Sequence, residues 1–250
     1  MKLRLATYNI HKGVTGLTRR VRIHEVRAAL HALDADVVFL QEVQDRNRAL
    51  ERLSRRHPGG SQAAFLADTH YPHYAYGANA RYRHGDHGNA ILSRLPLSGS
   101  DNIDVSDHRF EQRGLLHATA VLPDGSPLHL LCVHFGLFAG GRERQAQALI
   151  ERINAVVPAG EPLVIAGDFN DWRGRLHAPL VHALGVTEAF AHGCPHSAPA
   201  ATFPSRLPWL PPDRIYLRGV RIRRAEVPGG RQWPSCSDHM PLVAEIEVIR

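Results

Sequence analysis

The chain is expected to fold as an α/β sandwich built on mixed rather than purely parallel sheets, and three patterns carry that expectation. Short apolar runs that stop at polar residues read as buried strands: residues 3–8 running into Asn9, residues 37–40 running into Gln41-Glu42, and residues 162–166 running into Gly167-Asp168-Phe169-Asn170. Segments with one apolar face at helical spacing alternate with them. A hairpin signal, Pro123-Asp124-Gly125, separates two further runs and adds antiparallel pairing to the strand–helix–strand order.

Taken in order, residues 3–8 form the first strand. Residues 21–33 carry Ile23, Val26, Leu30 and Leu33 on one helical face, and a strand over 36–41 follows at once. Residues 45–56 read as a second, arginine-studded helix with a solvated face. Asn89 enters a strand that continues through Ser93, or serves as a turn residue after Gly88. Strands over 115–122 and 128–133 flank the hairpin. Residues 142–157 form a third helix with Ala146, Leu149, Ile150, Ile153 and Val157 inward. Residues 191–212, rich in Pro, Ala and His, read as a long surface loop, and residues 241–248 supply the last strand. Neither a repeat nor an interdomain linker interrupts the chain, so residues 1–250 are expected to form a single domain.

Composition narrows the function. Hydrophobic residues make up 44% of the 250 residues, yet no stretch approaches the roughly 18 apolar residues of a membrane span. Met1-Lys2-Leu3-Arg4 leads directly into the first strand, leaving no room for a signal peptide, so a cytoplasmic location is expected. Cys132, Cys194 and Cys236 are odd in number and lack metal or redox spacing, which fits a reducing compartment with Cys132 as a free buried thiol. Net charge is +6, and lysine occurs only at Lys2 and Lys12. Arginine binds phosphate in a bidentate fork, which suits a polyanionic substrate, although a compositional bias toward Arg and Ala accounts for the same excess. His84, Asp86 and His87 resemble a zinc set in composition only; in a chain with 17 histidines they read as a chance cluster in a glycine-punctuated loop over 85–88.

The polar residues that end the apolar runs are the candidates for chemistry. Asp168 and Asn170 emerge at the end of a buried strand, where α/β sheets expose catalytic groups. Ser237-Asp238-His239 precedes the last strand, so its acid and imidazole stand at the mouth of another strand and can share one cleft with Asp168. Glu42 ends an inner strand, which is costly for a carboxylate unless it is paired or binds a cation.

The ordered set Thr7-Tyr8-Asn9-Ile10-His11, Gln41-Glu42-Val43, Gly88-Asn89-Ala90-Ile91-Leu92-Ser93, His134, Gly167-Asp168-Phe169-Asn170, Asp213-Arg214-Ile215 and Ser237-Asp238-His239 resembles the endonuclease/exonuclease/phosphatase superfamily. The resemblance spans residues 3–248. It implies two packed mixed sheets flanked by helices, four layers in all, with the site at one edge of the sandwich. It also implies Mg²⁺, or Mn²⁺ in its place, held by Glu42 with Asn9 and Asp238. Asp168 would orient or deprotonate the attacking water, and Asn170 would hold either the phosphoryl oxygen or the Asp168 carboxylate.

By the same resemblance, His239 contacts the phosphate while Asp213 accepts its other ring N–H. His134 donates to the phosphate or the leaving oxygen, Arg113 contacts phosphate, and Asn89 lies in the substrate-facing Gly-Asn-Ala segment. One departure is His11, which stands where the apurinic-endonuclease branch has an Asp, so a second carboxylate-bound metal at that end is not expected. Arg142 and Arg144 beside Gly140-Gly141 would let the third helix's N-terminus take a substrate phosphate; an ordinary solvated helix end with Glu143 is the other reading.

The expected activity is metal-dependent, nuclease-like hydrolysis of a phosphodiester. A phospholipid or inositol-phosphate substrate is the alternative, and a non-catalytic phosphate-binding module a weaker one. Trp209 lies four residues before Asp213, too far for the inositol-phosphatase motif, and the sequence offers neither a sphingomyelinase-like aromatic hairpin nor a helical wedge for a DNA groove. Whether Asp168 or His239 is the general base stays open at the level of sequence.

Overall fold

The computed structural model describes residues 1–14, 20–54, 56–108, 111–191 and 199–249. The first half runs β1 (Lys2–Asn9), a 3₁₀ turn (His11–Gly13), α1 (Ile23–Leu33), β2 (Val37–Val43), α2 (Arg48–Leu53), α3 (Gln62–Ala67), β3 (His73–Tyr82), β4 (Gly85–Ser93) and β5 (Leu97–Asp104). The second half continues with β6 (Gly114–Val121), β7 (Pro127–His134), α4 (Ala139–Val156), β8 (Leu163–Asp168), α5 (His177–Leu184), β9 (Thr187–Glu188), β10 (Asp213–Arg218), β11 (Val220–Glu226), α6 (Trp233–Cys236) and β12 (Leu242–Val248).

Among the described residues the strands form two six-stranded mixed sheets, ordered β11-β12-β1-β2-β4-β3 and β5-β6-β7-β8-β10-β9. Each has one parallel pair at its centre, β1–β2 and β7–β8; the remaining pairs are antiparallel. Parallel neighbours cannot be joined by a tight hairpin and need a crossover, which α1 and α4 supply. One apolar core, including Leu5, Phe39, Leu130 and Val164, fills the space between the sheets. Two others pack α1, α3 and α6 on the outer face of the first sheet, and α4 and α5 on that of the second. The result is the four-layer sandwich.

The helices form where the apolar period predicts. Ile23, Val26, Leu30 and Leu33 of α1 are all buried, each such side chain contributing roughly 1.5–3 kcal/mol of transfer free energy. The helix stops at Asp34, whose left-handed φ of 49° is a conformation that Asp tolerates better than most residues. On α4, Ala146, Leu149 and Ile153 are buried, with Val157 just past its end, whereas Ile150 is half-buried.

Several boundaries differ from expectation for tertiary reasons. Val21 bridges Val14 instead of starting α1. The strand expected to stop at Gln41 continues to Val43, carrying Glu42 within it. The helix expected over 45–56 contracts to α2, because Asn47 bridges Gly85 and the Arg46 carbonyl accepts the Asp86 N–H. Residues 85–88 are accordingly strand, not loop. Helix α4 begins at Ala139, three residues before Arg142. Residues 199–212 are a packed structure, not a plain surface loop: Thr202 and Ser205 are buried, and Phe203 bridges Leu210. The rest of that expected loop, residues 192–198 with Cys194, lies outside the described residues.

Cys132 is a free buried thiol between the sheets, its pKa pushed up to about 12 by burial. Among the described residues no helix is long and apolar enough to cross a membrane.

This topology delivers polar residues to one edge. The parallel strands β1, β2, β7 and β8 arrive there with their C-terminal ends, bringing Asn9, Glu42, His134 and Asp168. Strands β10 and β12 run antiparallel to β8 and β1, so they start at the same edge, bringing Asp213 at the first residue of β10 and His239 just before β12.

Candidate active site

Strand register places three catalytic candidates in one row: His134 on β7 lies opposite Asp168 on β8, which lies opposite Asp213 on β10. Gly167 permits this approach. At φ 149° it accepts a conformation that side chains rarely adopt, and a Cβ there would stand 1.9 Å from the Val133 carbonyl oxygen.

Asp168 is the hub of the site. Its Oδ2 accepts the Asn9 Nδ2–H at 3.1 Å and stands 3.7 Å from His134 Nε2 and 3.9 Å from His239 Nε2. Its Oδ1 accepts the Asn170 backbone N–H at 2.9 Å. Burial, with the Asp213 carboxylate next in size, raises its pKa to about 6; His239 and the donated hydrogen bonds oppose that rise. Asn170, at φ 50°, spends its side-chain amide on the Phe135 carbonyl at 2.9 Å. The side-chain amide is thus committed to that carbonyl, and it is the backbone N–H of Asn170 that reaches Asp168.

His239 donates from Nδ1 to Asp213 Oδ2 at 2.9 Å, and the Thr202 hydroxyl donates to the same oxygen at 2.5 Å. Burial lowers the imidazole's pKa, but the Asp213 carboxylate outweighs it and the net value rises to about 10. The ring is therefore an imidazolium at neutral pH. Phe203 packs on it, with ring centroids 5.1 Å apart, and Ser237 ties its loop to β1 by donating to the Asn9 carbonyl at 2.6 Å while accepting the His239 N–H at 3.2 Å. Arg214 does not compete for Asp213, since its guanidinium turns to the carbonyls of Pro211, Asp213 and Asp171. His134 is buried; desolvation, with Arg113 next, holds its pKa well below the usual imidazole value, so it is neutral.

Glu42 sits in a β-bulge at φ 59°, where the pairing of β2 with β4 slips between Leu40 and Val43. Strain of this kind costs on the order of 1–3 kcal/mol and re-aims a side chain. The Glu42 Oε2 is enclosed and accepts no hydrogen bond; the Lys12 ammonium stands 3.5 Å away. A buried carboxylate oxygen that accepts no hydrogen bond and has only a single ammonium as counter-ion suits a hard divalent cation, and the neighbouring donors are oxygens as well. Asn9 Oδ1 accepts the His11 N–H at 3.1 Å, and Asp238 Oδ1 is engaged by His11 Nδ1 at 3.1 Å, which lowers the Asp238 pKa despite its burial. The residues thus fit a cation centred on Glu42. Asp168, Asp213 and His239 also cluster tightly, but the Asp213–His239 contact is already a hydrogen bond, and that trio is better read as proton-handling groups.

A cleft of about 340 Å³ joins these groups, and its polar lining is Asn9, Glu42, Arg113, His134, Asp168, Asn170 and His239. Arg113 is anchored by its Nε–H to the Phe135 carbonyl at 3.2 Å. The rest of the wall is apolar: Leu137, Trp172, Phe203, Leu210 and Pro212. Three expected substrate contacts lie elsewhere. Asn89 is fully buried, clamping the sheets together through Nδ2 donations to the Gly114 and Cys132 carbonyls. Arg142 is buried and turned back onto the Gly136 and Leu137 carbonyls at 3.3 and 2.5 Å. Arg144 forms a bidentate pair with Asp107 at 2.6 and 2.7 Å. Thr202 and Phe203 are the site residues that sequence reasoning missed; nothing in the Pro/Ala-rich segment marks them.

Fold and site together define a two-sheet α/β sandwich with an acidic and histidine-bearing edge. Residues 6–239 match the profile of the Endonuclease/Exonuclease/phosphatase family, and the chain belongs to that family, whose members in general act on phosphoester bonds. It is 42% identical over 246 residues to an uncharacterized protein, YbhP, of Escherichia coli (strain K12), covering 98% of this chain and 96% of that one. Its fold is similar to that of an endonuclease/exonuclease/phosphatase from Beutenbergia cavernae (TM-score 0.76, 20% identity, 99% of this chain and 72% of that one). It is similar also to the human Nocturnin catalytic domain (TM-score 0.75, 18% identity, 99% and 94%).

Proposed function

We infer that the chain is a divalent-metal-dependent phosphodiesterase that uses nuclease-like, in-line attack of an activated water. The observation that carries this reading is the convergence of Asn9, His134 and His239 on one carboxylate oxygen of Asp168, in a cleft that Glu42 also lines. A phosphate-binding module has no use for a buried carboxylate poised to take a proton.

Asp168, ionised above about pH 6, accepts the water proton, whereas His239, already protonated, is a donor and not a base. From Nε2 it meets a phosphoryl oxygen as negative charge grows there. Asp213 and Thr202 fix its orientation, the Asn170 backbone N–H holds Asp168, and neutral His134 would offer an N–H hydrogen bond to the leaving oxygen. Arg113 supplies a further cation on the cleft wall. Mg²⁺ or Mn²⁺, held by Glu42 with Asn9 and Asp238, would add charge neutralisation at the phosphate.

Hydrolysis of bis-(4-nitrophenyl) phosphate is expected to vanish in EDTA and return with Mg²⁺ or Mn²⁺; full activity in excess chelator contradicts the reading. The same substrate reports the pH dependence. Because Asp168 is raised and must be ionised, kcat/KM should climb through about pH 6; because His239 is raised and must stay protonated, it should hold until about pH 10. An alkaline limb near pH 7 would remove the imidazolium from the mechanism. A panel of DNA, RNA, phospholipid and inositol phosphate then sorts the substrate class. A lipid phosphodiester is the second reading, favoured by the apolar wall of the cleft.

A further inference from the structure

The apolar wall of the cleft continues outward into solvent. Ten large apolar side chains are exposed among the described residues, and five of them, Leu137, Phe138, Trp172, Leu207 and Trp209, come from the three segments that form that wall. Leu137-Phe138 follows β7, Trp172 follows β8, and Leu207 and Trp209 lie in the segment before β10. Leu207 and Trp209 are 77% and 69% exposed; apolar side chains gathered around one cleft mark an interaction site more than the same residues scattered singly would.

These side chains are held out by built structure. The Phe203–Leu210 bridge closes a small hairpin, with N–H to carbonyl distances of 3.1 and 2.9 Å, and Arg206-Leu207-Pro208-Trp209 forms its exposed tip. The chain thus carries a short aromatic hairpin, contrary to the expectation from sequence; the Pro/Ala-rich segment has no strand pattern to announce it. The buried Arg142 props the other two segments: it donates to the Gly136 and Leu137 carbonyls, and its guanidinium lies 5.2 Å from the centre of the Trp172 ring. The role expected for Arg142 as a phosphate ligand is replaced by one of support for the rim.

Charge selects the occupant. Residues 136–142, 170–176 and 199–212 contain one carboxylate, Asp171, which is buried and accepts the N–H groups of Arg175 and Leu176. Arg173, Arg175 and Arg206 on the same segments are exposed. Trp, Leu and Phe flanked by arginine and free of exposed acid match the boundary between acyl chains and anionic headgroups.

We propose that the edge of the molecule carrying the cleft docks on an anionic lipid surface, with the five apolar side chains inserted and Arg173, Arg175 and Arg206 on headgroup phosphates. A lipid phosphodiester would then enter the cleft along its apolar wall; this consequence for the substrate rests on the phosphodiesterase reading, whereas the docking does not.

The test uses the full chain and vesicles of equal phosphatidylglycerol and phosphatidylcholine. Trp233 is buried, so a shift of tryptophan emission to shorter wavelength on adding vesicles reports on Trp172 and Trp209. Wild-type protein should cosediment with the vesicles and show that shift. The double variant Phe138→Glu/Leu207→Glu, which alters exposed positions outside the cleft lining, should lose at least about tenfold in partitioning. Its turnover of bis-(4-nitrophenyl) phosphate should equal that of wild type.

Failure of the wild type to bind overturns the proposal. So does equal binding by the variant, which would reduce the effect to attraction of a +6 chain. A short oligothymidine that shifts the emission in wild type but not in the variant also overturns it, in favour of a base-stacking rim. Vesicle binding without hydrolysis of the small diester would leave docking standing and reject the phosphodiesterase reading.

Discussion

Asp168→Asn is expected to lower kcat on bis-(4-nitrophenyl) phosphate by roughly a hundredfold or more while leaving the fold about as stable. The amide keeps the side chain's shape and, through its oxygen, an acceptor for the Asn170 N–H, but it cannot take the water proton. The stability half of the expectation follows from the sign of the pKa shift. Asp168 is raised to about 6 in the folded chain, so its ionised form is less favourable folded than unfolded, and it costs stability above the unfolded carboxylate range. Removing that charge relieves this cost, while the amide NH2 would face the Asn9 Nδ2–H donor, so Tm at pH 7.5 should stay close to the wild-type value. A residue whose loss abolishes turnover yet leaves Tm unchanged or higher is serving the reaction at the expense of the fold. Thermal melts by circular dichroism beside steady-state kinetics check both halves. A large fall in Tm, or near-wild-type kcat, would move the site away from Asp168.

Legibility in the sequence followed the physics of each feature. The strand ends at Asn9 and Asp168 were readable because a buried run that stops there has no packing reason to stop, whereas β2 carries Glu42 inside a bulge and ends only at Val43. What the sequence could not carry was register. Asp213 and His134 flank Asp168 only because three strands align residue by residue, and Thr202 reaches Asp213 across a segment without periodic pattern. Arginine was the most misleading residue. Arg142 and Arg144 read as phosphate ligands at a helix start, but the chain folds one back onto carbonyls and pairs the other with Asp107, because a buried or nearby acceptor wins over a helix end already crowded with cations. Asn89, expected at a strand entrance, lies in the middle of β4 and joins two sheets instead of meeting a substrate.

Asp213 and His239 are expected to behave as one unit, and kcat/KM is where that is measured. The Asp213 carboxylate is buried, accepts the His239 Nδ1–H at 2.9 Å, and stands within ion-pair reach of no other cation among the described residues. It holds the imidazole as a cation whose pKa is lifted to about 10, so Asp213→Ala should return the ring to a lower pKa and bring the alkaline limb of the pH profile down toward neutrality. His239→Ala should cost roughly a hundredfold or more by removing the donor to the phosphoryl oxygen. The double variant should then be little worse than His239→Ala alone, because a carboxylate that acts through an imidazole has nothing left to act on. Thr202→Val offers an intermediate case: it removes one hydrogen bond to Asp213 Oδ2 while leaving the ion pair, and should move the alkaline limb by less than Asp213→Ala does. Losses that simply add would mean that Asp213 acts on the substrate or the metal directly, and an unmoved alkaline limb in Asp213→Ala would mean that another group keeps His239 charged.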